Sequence, residues 1–398
     1  MSFSLADVDF LASDAGARLL ERLAAEDLSD AHTLPLLTRL RRDYTGEQAG
    51  AALALARLRL KAAEKFGMDA ARMFFTREAL EQSSDPLIRR WRADQGEGRR
   101  LVDVCCGIGS DALAFASAGW DTLGLDIDPV RAALARLNAA ALNLPARFEV
   151  ADVREDARLR APELDRIFYD PARRDDGGRR IYDVEAYEPP LSLVNGWLRG
   201  AGLTVQAKLS PGVNIDQLAA YQGSLTFISV NGDLKEALLS ISGDQTALTR
   251  EAVLLTASAA YTWERADAGE APLLEPRGWL IEPDPALIRA GLVQAAALRF
   301  GGALLDESIA YITADAKPET PWVRAWQVLD WMPFNLKKLR AYLREHHVGR
   351  VTVKKRGTAV TPESLIPQLK LKGDVSRTIV LTRFQGAQIV LICADIVP

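Results

Sequence analysis

The chain has 398 residues, 48% of them apolar and 26% charged, with a net charge of −4 at pH 7. That length exceeds what one core usually serves and the balance is ordinary for a globular protein, so two or three domains are expected. Three cysteines and three histidines in no metal-ligand spacing exclude a disulfide framework and a zinc site.

Residues 1–10 lack a basic signal region, and no apolar run reaches the roughly 18 residues a membrane helix needs. A soluble, cytoplasmic protein with no metal and no membrane partner is expected. Charge is uneven, since residues 331–398 hold 12 Lys/Arg against 4 Asp/Glu, a local +8 that leaves −12 elsewhere. A basic end on an acidic protein points to a polyanion or to a solvated face.

Residues 1–75 read as a helical N-terminal domain. Leu36, Leu37 and Leu40 recur at helical spacing, Thr45-x-x-Gln48 forms a capping box before an Ala/Leu-rich helix, and Gly67 is its stop. From residue 76 to 250 the pattern predicts a parallel α/β domain. Strands are expected at 101–105, 122–125, 146–150, 166–169 and 203–208, with helices at 111–118, 129–141 and 190–198. Two consecutive strands, 225–230 and 236–241, end the domain with no helix between them.

Residues 251–330 form an α/β connecting region in which Asp284-Pro285 opens a helix to Phe300, followed by strands at 309–313 and 326–331. The basic end, 331–398, reads helix 336–346, strand 350–354, helix 362–369 and strands 378–384 and 388–395.

The central motif is Val102-Asp103-Val104-Cys105-Cys106-Gly107-Ile108-Gly109-Ser110-Asp111, a strand, a glycine turn and a helix start. Gly107 and Gly109 let the backbone approach a ligand, although G-x-G-x-x-A alone also fits a dinucleotide fingerprint. Three carboxylates decide between them. Asp103 lies within the strand, where it is costly unless a cation meets it, and where it would repel a pyrophosphate. Asp126 ends the next strand, placed for ribose hydroxyls, and Asp152 ends the third, placed for an adenine amine. Together they point to an amino-acid-bearing nucleoside and away from a nicotinamide dinucleotide.

The run "VDVCCGIGSDAL…GLDIDP…ADV…YDPAR" resembles the class I S-adenosylmethionine-dependent methyltransferases, and "CCGIG" with "DIDPVRAALARLNA" resembles their trimethylguanosine synthase branch. Residues 73–84 resemble a segment that closes over the cofactor in several RNA methyltransferases. "VTVKKRG…LKLKGDVSRTIVLTR" resembles the THUMP-like domain fused to some bacterial methyltransferases. These resemblances imply a Rossmann-like seven-stranded sheet that binds S-adenosylmethionine, with Thr76, Cys105, Ile127, Val153 and Asp170 joining Asp103, Gly107, Gly109, Asp126 and Asp152 around it.

By the same resemblance the receiving atom lies above Tyr169-Asp170-Pro171-Ala172-Arg173-Arg174. Asp170 and Pro171 match a motif that holds an exocyclic amine, while Ala172 and Arg173 replace its second proline and its aromatic residue. Tyr169, Tyr182 or Tyr187 could supply a ring or belong to the core. Arg173, Arg174, Arg179 and Arg180 could grip phosphate, or form a solvated loop. Lys208 and Ser210 end the fifth strand near the same place. Cys105 and Cys106 read first as small apolar packing, and no thiol lies in 170–174 for carbon-5 pyrimidine chemistry.

The expected function is methyl transfer to RNA, with Lys354, Lys355 and Arg356 helping to bind it. The rivals are a small-molecule or protein methyltransferase and a catalytically silent RNA-binding protein that keeps the fold. The sequence does not specify an oligomeric state.

Overall fold

A computed structural model describes residues 3–96, 100–161, 163–173, 178–179, 181–198, 202–243, 245–263 and 269–395. Helices α1 (Leu5–Ala12), α2 (Asp14–Ala24), α3 (Thr33–Leu40), α4 (Gly46–Phe66), α5 (Arg77–Gln82) and α6 (Pro86–Ala93) come first. The α/β region follows as β1 (Arg100–Val104), α7 (Ser110–Ser117), β2 (Asp121–Asp126), α8 (Pro129–Leu142), β3 (Ala146–Val150), β4 (Arg166–Tyr169) and β5 (Thr204–Leu209). Strands β6 (Gly223–Val230), β7 (Asp233–Ser242), β8 (Leu248–Leu255) and β9 (Ala260–Trp263) continue it.

The remaining elements are β10 (Trp279–Pro283), α9 (Pro285–Ala290), α10 (Val293–Arg299), β11 (Ala303–Asp306), β12 (Ile309–Ala314) and β13 (Val323–Pro333). After them come α11 (Leu336–Glu345), β14 (Val348–Lys355), α12 (Pro362–Leu369), β15 (Val375–Phe384) and β16 (Ala387–Ala394). The chain divides into two compact units. One holds residues 1–226, 235–249 and 255–260, and the other holds 227–234, 250–254 and 261–398.

The first sheet has the order β3-β2-β1-β4-β5-β7-β6-β8-β9. Strands β1 to β5 pair in parallel and β7 joins β5 antiparallel. The expected seven-stranded arrangement is therefore present, extended among the described residues by β8 and β9. Those two were unread in the sequence, where β8 mixes Thr249, Arg250 and Glu251 with its apolar residues.

The N-terminal helices share one apolar core with this sheet's helices, as Leu11, Leu23, Leu40, Leu55 and Phe75 cluster with Ile108, Leu113, Leu134 and Phe148. The capping box of α4 forms as expected, with Gln48 N donating to Thr45 Oγ1 at 3.2 Å and Thr45 N to Gln48 Oε1 at 3.1 Å. Gly67 ends that helix at φ 56°.

Two helix expectations are corrected. Residues 191–196 form a 3-10 turn; Ser192, Val194, Asn195 and Gly196 are weak helix formers, and the segment is too short to offset them. The helix expected from 285 to 300 is two helices, because Gly291 takes a left-handed φ of 73° and closes α9.

In the second unit a sheet of order β11-β12-β10-β13-β16-β15-β14 carries apolar clusters that account for both of its faces. One cluster gathers Leu339, Leu343, Leu365 and Leu369 of α11 and α12 with Ile379 and Ile392; the other gathers Tyr311, Trp326, Val380 and Leu391. Among the described residues no helix is long and apolar enough to cross a membrane.

Candidate active site

Strand order reverses between β1 and β4, and the crevice beyond their carboxyl ends is where an open α/β sheet takes a ligand. β1 leads into a turn in which Cys105, Gly107 and Gly109 have φ of 62°, 58° and 81°. The two glycines serve different purposes. A Cβ on Gly107 would meet nothing within 4 Å, so its backbone stands bare, whereas one on Gly109 would lie 2.8 Å from Phe148 Cζ. Gly109 is thus required by packing as well as by its backbone angle. Cys105 holds a left-handed conformation that costs a non-glycine residue about 1 kcal/mol, a feature the sequence did not announce.

Asp103 is 1% exposed, and neither of its oxygens has a hydrogen-bond partner among the described residues. Burial, reinforced by Asp111 and Asp170, pushes its carboxyl well above the usual range; the Ala112 amide and Arg92 oppose this without offsetting it. Asp126 accepts from Gly107 N at 2.8 Å and from Asp128 N at 2.9 Å, tying the end of β2 to the glycine turn. Its carboxyl is also pushed up by burial.

Ile127, next in the chain, is 62% exposed, and Val150 at the end of β3 is 49% exposed, so apolar surface borders this carboxylate. Asp152 is exposed and held by the Arg154 guanidinium, with Nε at 2.9 Å from Oδ1, which keeps its carboxyl below the ordinary range. Val153 beside it is buried.

Thr76 caps α5, its Oγ1 accepting from Ala79 N at 3.1 Å. The link from this segment to the glycine turn is a residue that sequence reading missed. Asn138 of α8 is fully buried; it accepts from Phe74 N at 2.6 Å and donates to Phe74 O and Ile108 O, each at 3.0 Å. An asparagine within an Ala/Leu-rich helix was the available signal.

At the end of β4, Asp170 N donates to Val104 O at 3.2 Å, which sets this carboxylate beside the turn that leaves β1. Asp170 Oδ2 accepts from Lys208 Nζ at 2.7 Å, and Oδ1 lies 3.8 Å from the Arg173 guanidinium. Pro171 is buried, and Ala172 bridges antiparallel to Glu188. Ile181 N donates to Arg173 O at 2.9 Å, so the chain returns toward the motif there. Arg174 and Arg180 lie outside the described residues. Of the three tyrosines, Tyr169 and Tyr187 are buried, and Tyr182 is 67% exposed.

A second unforeseen feature lies beneath the site. Arg92 of α6 is wholly buried, bonded to both Asp111 and Glu236, with its guanidinium 4.3 Å above the Phe168 ring. Burial pushes the Asp111 carboxyl up, but Arg92, Lys208 and Arg89 outweigh it and hold the group below its ordinary value. Burial also raises both thiols of Cys105 and Cys106 well above the ordinary value, which leaves them protonated. Among the described residues no group of three or more His, Cys, Asp or Glu could hold a metal ion.

In the basic end, Lys354 Nζ lies 2.7 Å from Glu282 Oε2 and Arg356 lies 3.2 Å from Oε1. Their cationic ends cover Trp326 and Tyr311 at 4.1 and 5.0 Å from the ring centroids. Lys355 is exposed. So are Lys337, Lys338, Arg344, Lys370 and Lys372, and among the described residues none of these six makes an ion pair.

Residues 101–170 match a family described as a methyltransferase domain, residues 323–395 one described as THUMP domain-like, and residues 4–62 a domain family of unknown function. Over 336 residues, 82% of this chain and 90% of the relative, the sequence is 33% identical to an uncharacterized S-adenosylmethionine-dependent methyltransferase of Mycobacterium tuberculosis. Over 82 residues, 19% of this chain and 18% of the relative, it is 38% identical to a 23S rRNA (uracil(1939)-C(5))-methyltransferase of Acidithiobacillus ferrooxidans. A crystal structure from Porphyromonas gingivalis W83, described as that of a methyltransferase, has a TM-score of 0.81 at 21% identity, covering 99% of this chain and 100% of that one. That likeness is one of fold.

Proposed function

The chain belongs to the S-adenosylmethionine-dependent methyltransferases and carries a C-terminal THUMP-like domain; from that premise we propose that it methylates RNA on an exocyclic base amine. The observation that carries this reading is the pair of carboxylates on neighbouring strands. Asp103 is buried within β1 with no hydrogen-bond partner among the described residues, and Asp170 directly follows β4.

The residues present fit the methyl donor. Asp103 would receive its α-ammonium, which supplies the cation that a buried carboxylate requires. The bare backbone at Gly107 would lie along it, with Gly109 and Cys105 shaping the turn, while Asp126 retains acceptor capacity for ribose hydroxyls. Ile127 and Val153 would flank the adenine, and Asp152 would reach its amine while still paired with Arg154. Thr76, in the segment pinned by Asn138, would cover the opposite side. When bound, S-adenosylmethionine supplies a methyl group already activated by a sulfonium.

What the protein must add is alignment, and pre-orientation of reactants is worth roughly 7–11 kcal/mol. Asp170 Oδ1 would accept a hydrogen bond from the amine and point its lone pair along the line of transfer; the backbone carbonyl of Pro171 would take a second. Arg173 and Arg174 would meet the adjoining phosphate. Tyr182 is the tyrosine of the three with an exposed ring on which a base could stack.

The match to a uracil carbon-5 enzyme supports an RNA substrate but not that chemistry, which needs a thiolate nucleophile. Cys105 and Cys106 are held protonated. For the THUMP-like domain, Lys337, Lys338, Arg344, Lys355, Lys370 and Lys372, exposed and without an ion pair among the described residues, support phosphate contact more strongly than Lys354 and Arg356, which Glu282 already engages.

The test is incubation with methyl-labelled S-adenosylmethionine and fractionated RNA lacking modifications, followed by identification of the labelled nucleoside. An N-methylated base is the expected product. Label in a metabolite or protein fraction instead would overturn the reading.

A further inference from the structure

We propose that Lys208 is a positioning residue that locks the substrate-side carboxylate of Asp170 to the carbonyl end of α5. The inference rests on the assignment of Asp170 to the acceptor amine. Lys208 sits at the end of β5, with a side chain only 4% exposed. Its Nζ donates to Asp170 Oδ2 at 2.7 Å and to the Gln82 carbonyl at 3.3 Å. Three elements therefore converge on one buried ammonium.

The geometry divides the labour of the Asp170 carboxylate. Oδ2 is engaged by Lys208 at 2.7 Å, whereas Oδ1 lies 3.8 Å from the Arg173 guanidinium, beyond hydrogen-bond distance. Oδ1 is therefore the less tightly held oxygen and the one that faces an incoming amine. A carboxylate without that anchor could rotate and offer either oxygen, and alignment would be lost. The anchor itself is held from the other side. Gln82 is the last residue of α5, where orphan carbonyls concentrate negative charge.

Lys65 of α4 grips the same helix end, with its Nζ 2.9 Å from Leu80 O and 2.7 Å from Ser83 O. Two ammonium groups thus tie the carbonyl end of α5, and only Lys208 also reaches the reacting carboxylate. The segment that begins with Thr76 is in this way mechanically continuous with Asp170, so ordering of one end orders the other.

The test combines Lys208→Met, Lys208→Arg and Asp170→Asn in the full chain. Thermal unfolding of the ligand-free single and double variants reads the pair directly and needs no substrate. The double variant should be no less stable than the weaker single variant; additive losses would overturn the coupling. Methyl incorporation into RNA from cells lacking this protein should fall about a hundredfold in Lys208→Met, the loss expected when a reacting group shifts by roughly an ångström. Lys208→Arg should recover part of it.

Affinity for S-adenosylhomocysteine, by calorimetry, should fall far less than incorporation in Lys208→Met and Lys208→Arg, because Lys65 still holds the carbonyl end of α5. Full incorporation by Lys208→Met would overturn the inference. Full incorporation by Asp170→Asn, with the stability coupling intact, would instead remove Asp170 from the reaction. If Lys208→Met fails to fold, Lys208→Gln, which keeps a hydrogen bond but no charge, carries the same comparison.

Discussion

The Asn138 carboxamide closes a pair of hydrogen bonds on the main chain of Phe74, accepting from its N–H at 2.6 Å and donating to its carbonyl at 3.0 Å. Because the same amide also reaches Ile108 O, a single side chain joins the segment before α5 to the glycine turn. Truncation in Asn138→Ala leaves three main-chain groups short of a partner. A loss of about 3 kcal/mol is expected in urea unfolding with an unchanged slope, together with weaker binding of S-adenosylhomocysteine.

The partnerless Asp103 makes a prediction with a definite sign. Its folded-state carboxyl is raised by burial, so the folded protein holds a proton that the unfolded chain has released. The stability it contributes is present at low pH and lost as pH rises through the folded value. Asp103→Asn removes that loss, so the ligand-free variant should gain thermal stability relative to the native chain as pH increases. Its cofactor affinity should collapse. Binding to the native chain should release a proton, read as a dependence of calorimetric heat on the buffer.

Gly107 and Gly109 separate approach from packing. Gly107→Ala introduces a Cβ that meets no protein atom, so beyond the backbone cost of about 1 kcal/mol its effect should fall on cofactor affinity. Gly109→Ala drives a Cβ to 2.8 Å from Phe148 and should lower the unfolding midpoint further. Equal losses of stability in the two variants would contradict this division.

For the THUMP-like domain, removing Lys337 and Arg344 together should reduce the salt dependence of RNA binding by about 0.7 log units per lost phosphate contact, if single strands are bound. Lys354→Ala breaks a pair with Glu282 and should cost stability while leaving that slope unchanged. Filter binding across a salt series distinguishes the two.

Legibility differed by the kind of constraint. Strands β1 to β5 announced themselves because buried parallel strands are short apolar runs closed by Gly or Asp. The left-handed Gly291 was visible as a residue, but its power to split a helix depended on where the chain had to turn. Asp103 was legible because a carboxylate inside a buried strand is chemically out of place. Asp126 and Asp152 were legible because they end the next two strands around the same glycine turn, and Asp170 through its resemblance to an amine-holding motif. Asn138 and Arg92 were not, and Lys208 was legible only as a residue near the reacting centre, since each works through partners 19 to 144 residues away, as Arg92 does with Asp111 at a separation of 19 and with Glu236 at 144. Lys354 and Arg356 read as free cations because nothing local marks Glu282 as their partner.

The most direct test is calorimetric titration of the purified chain with S-adenosylmethionine and with its demethylated product, beside Asp103→Ala. One saturable site for both ligands, abolished in the variant, is the predicted result. Heats from the native chain indistinguishable from dilution would contradict the assignment of this cleft as the cofactor site.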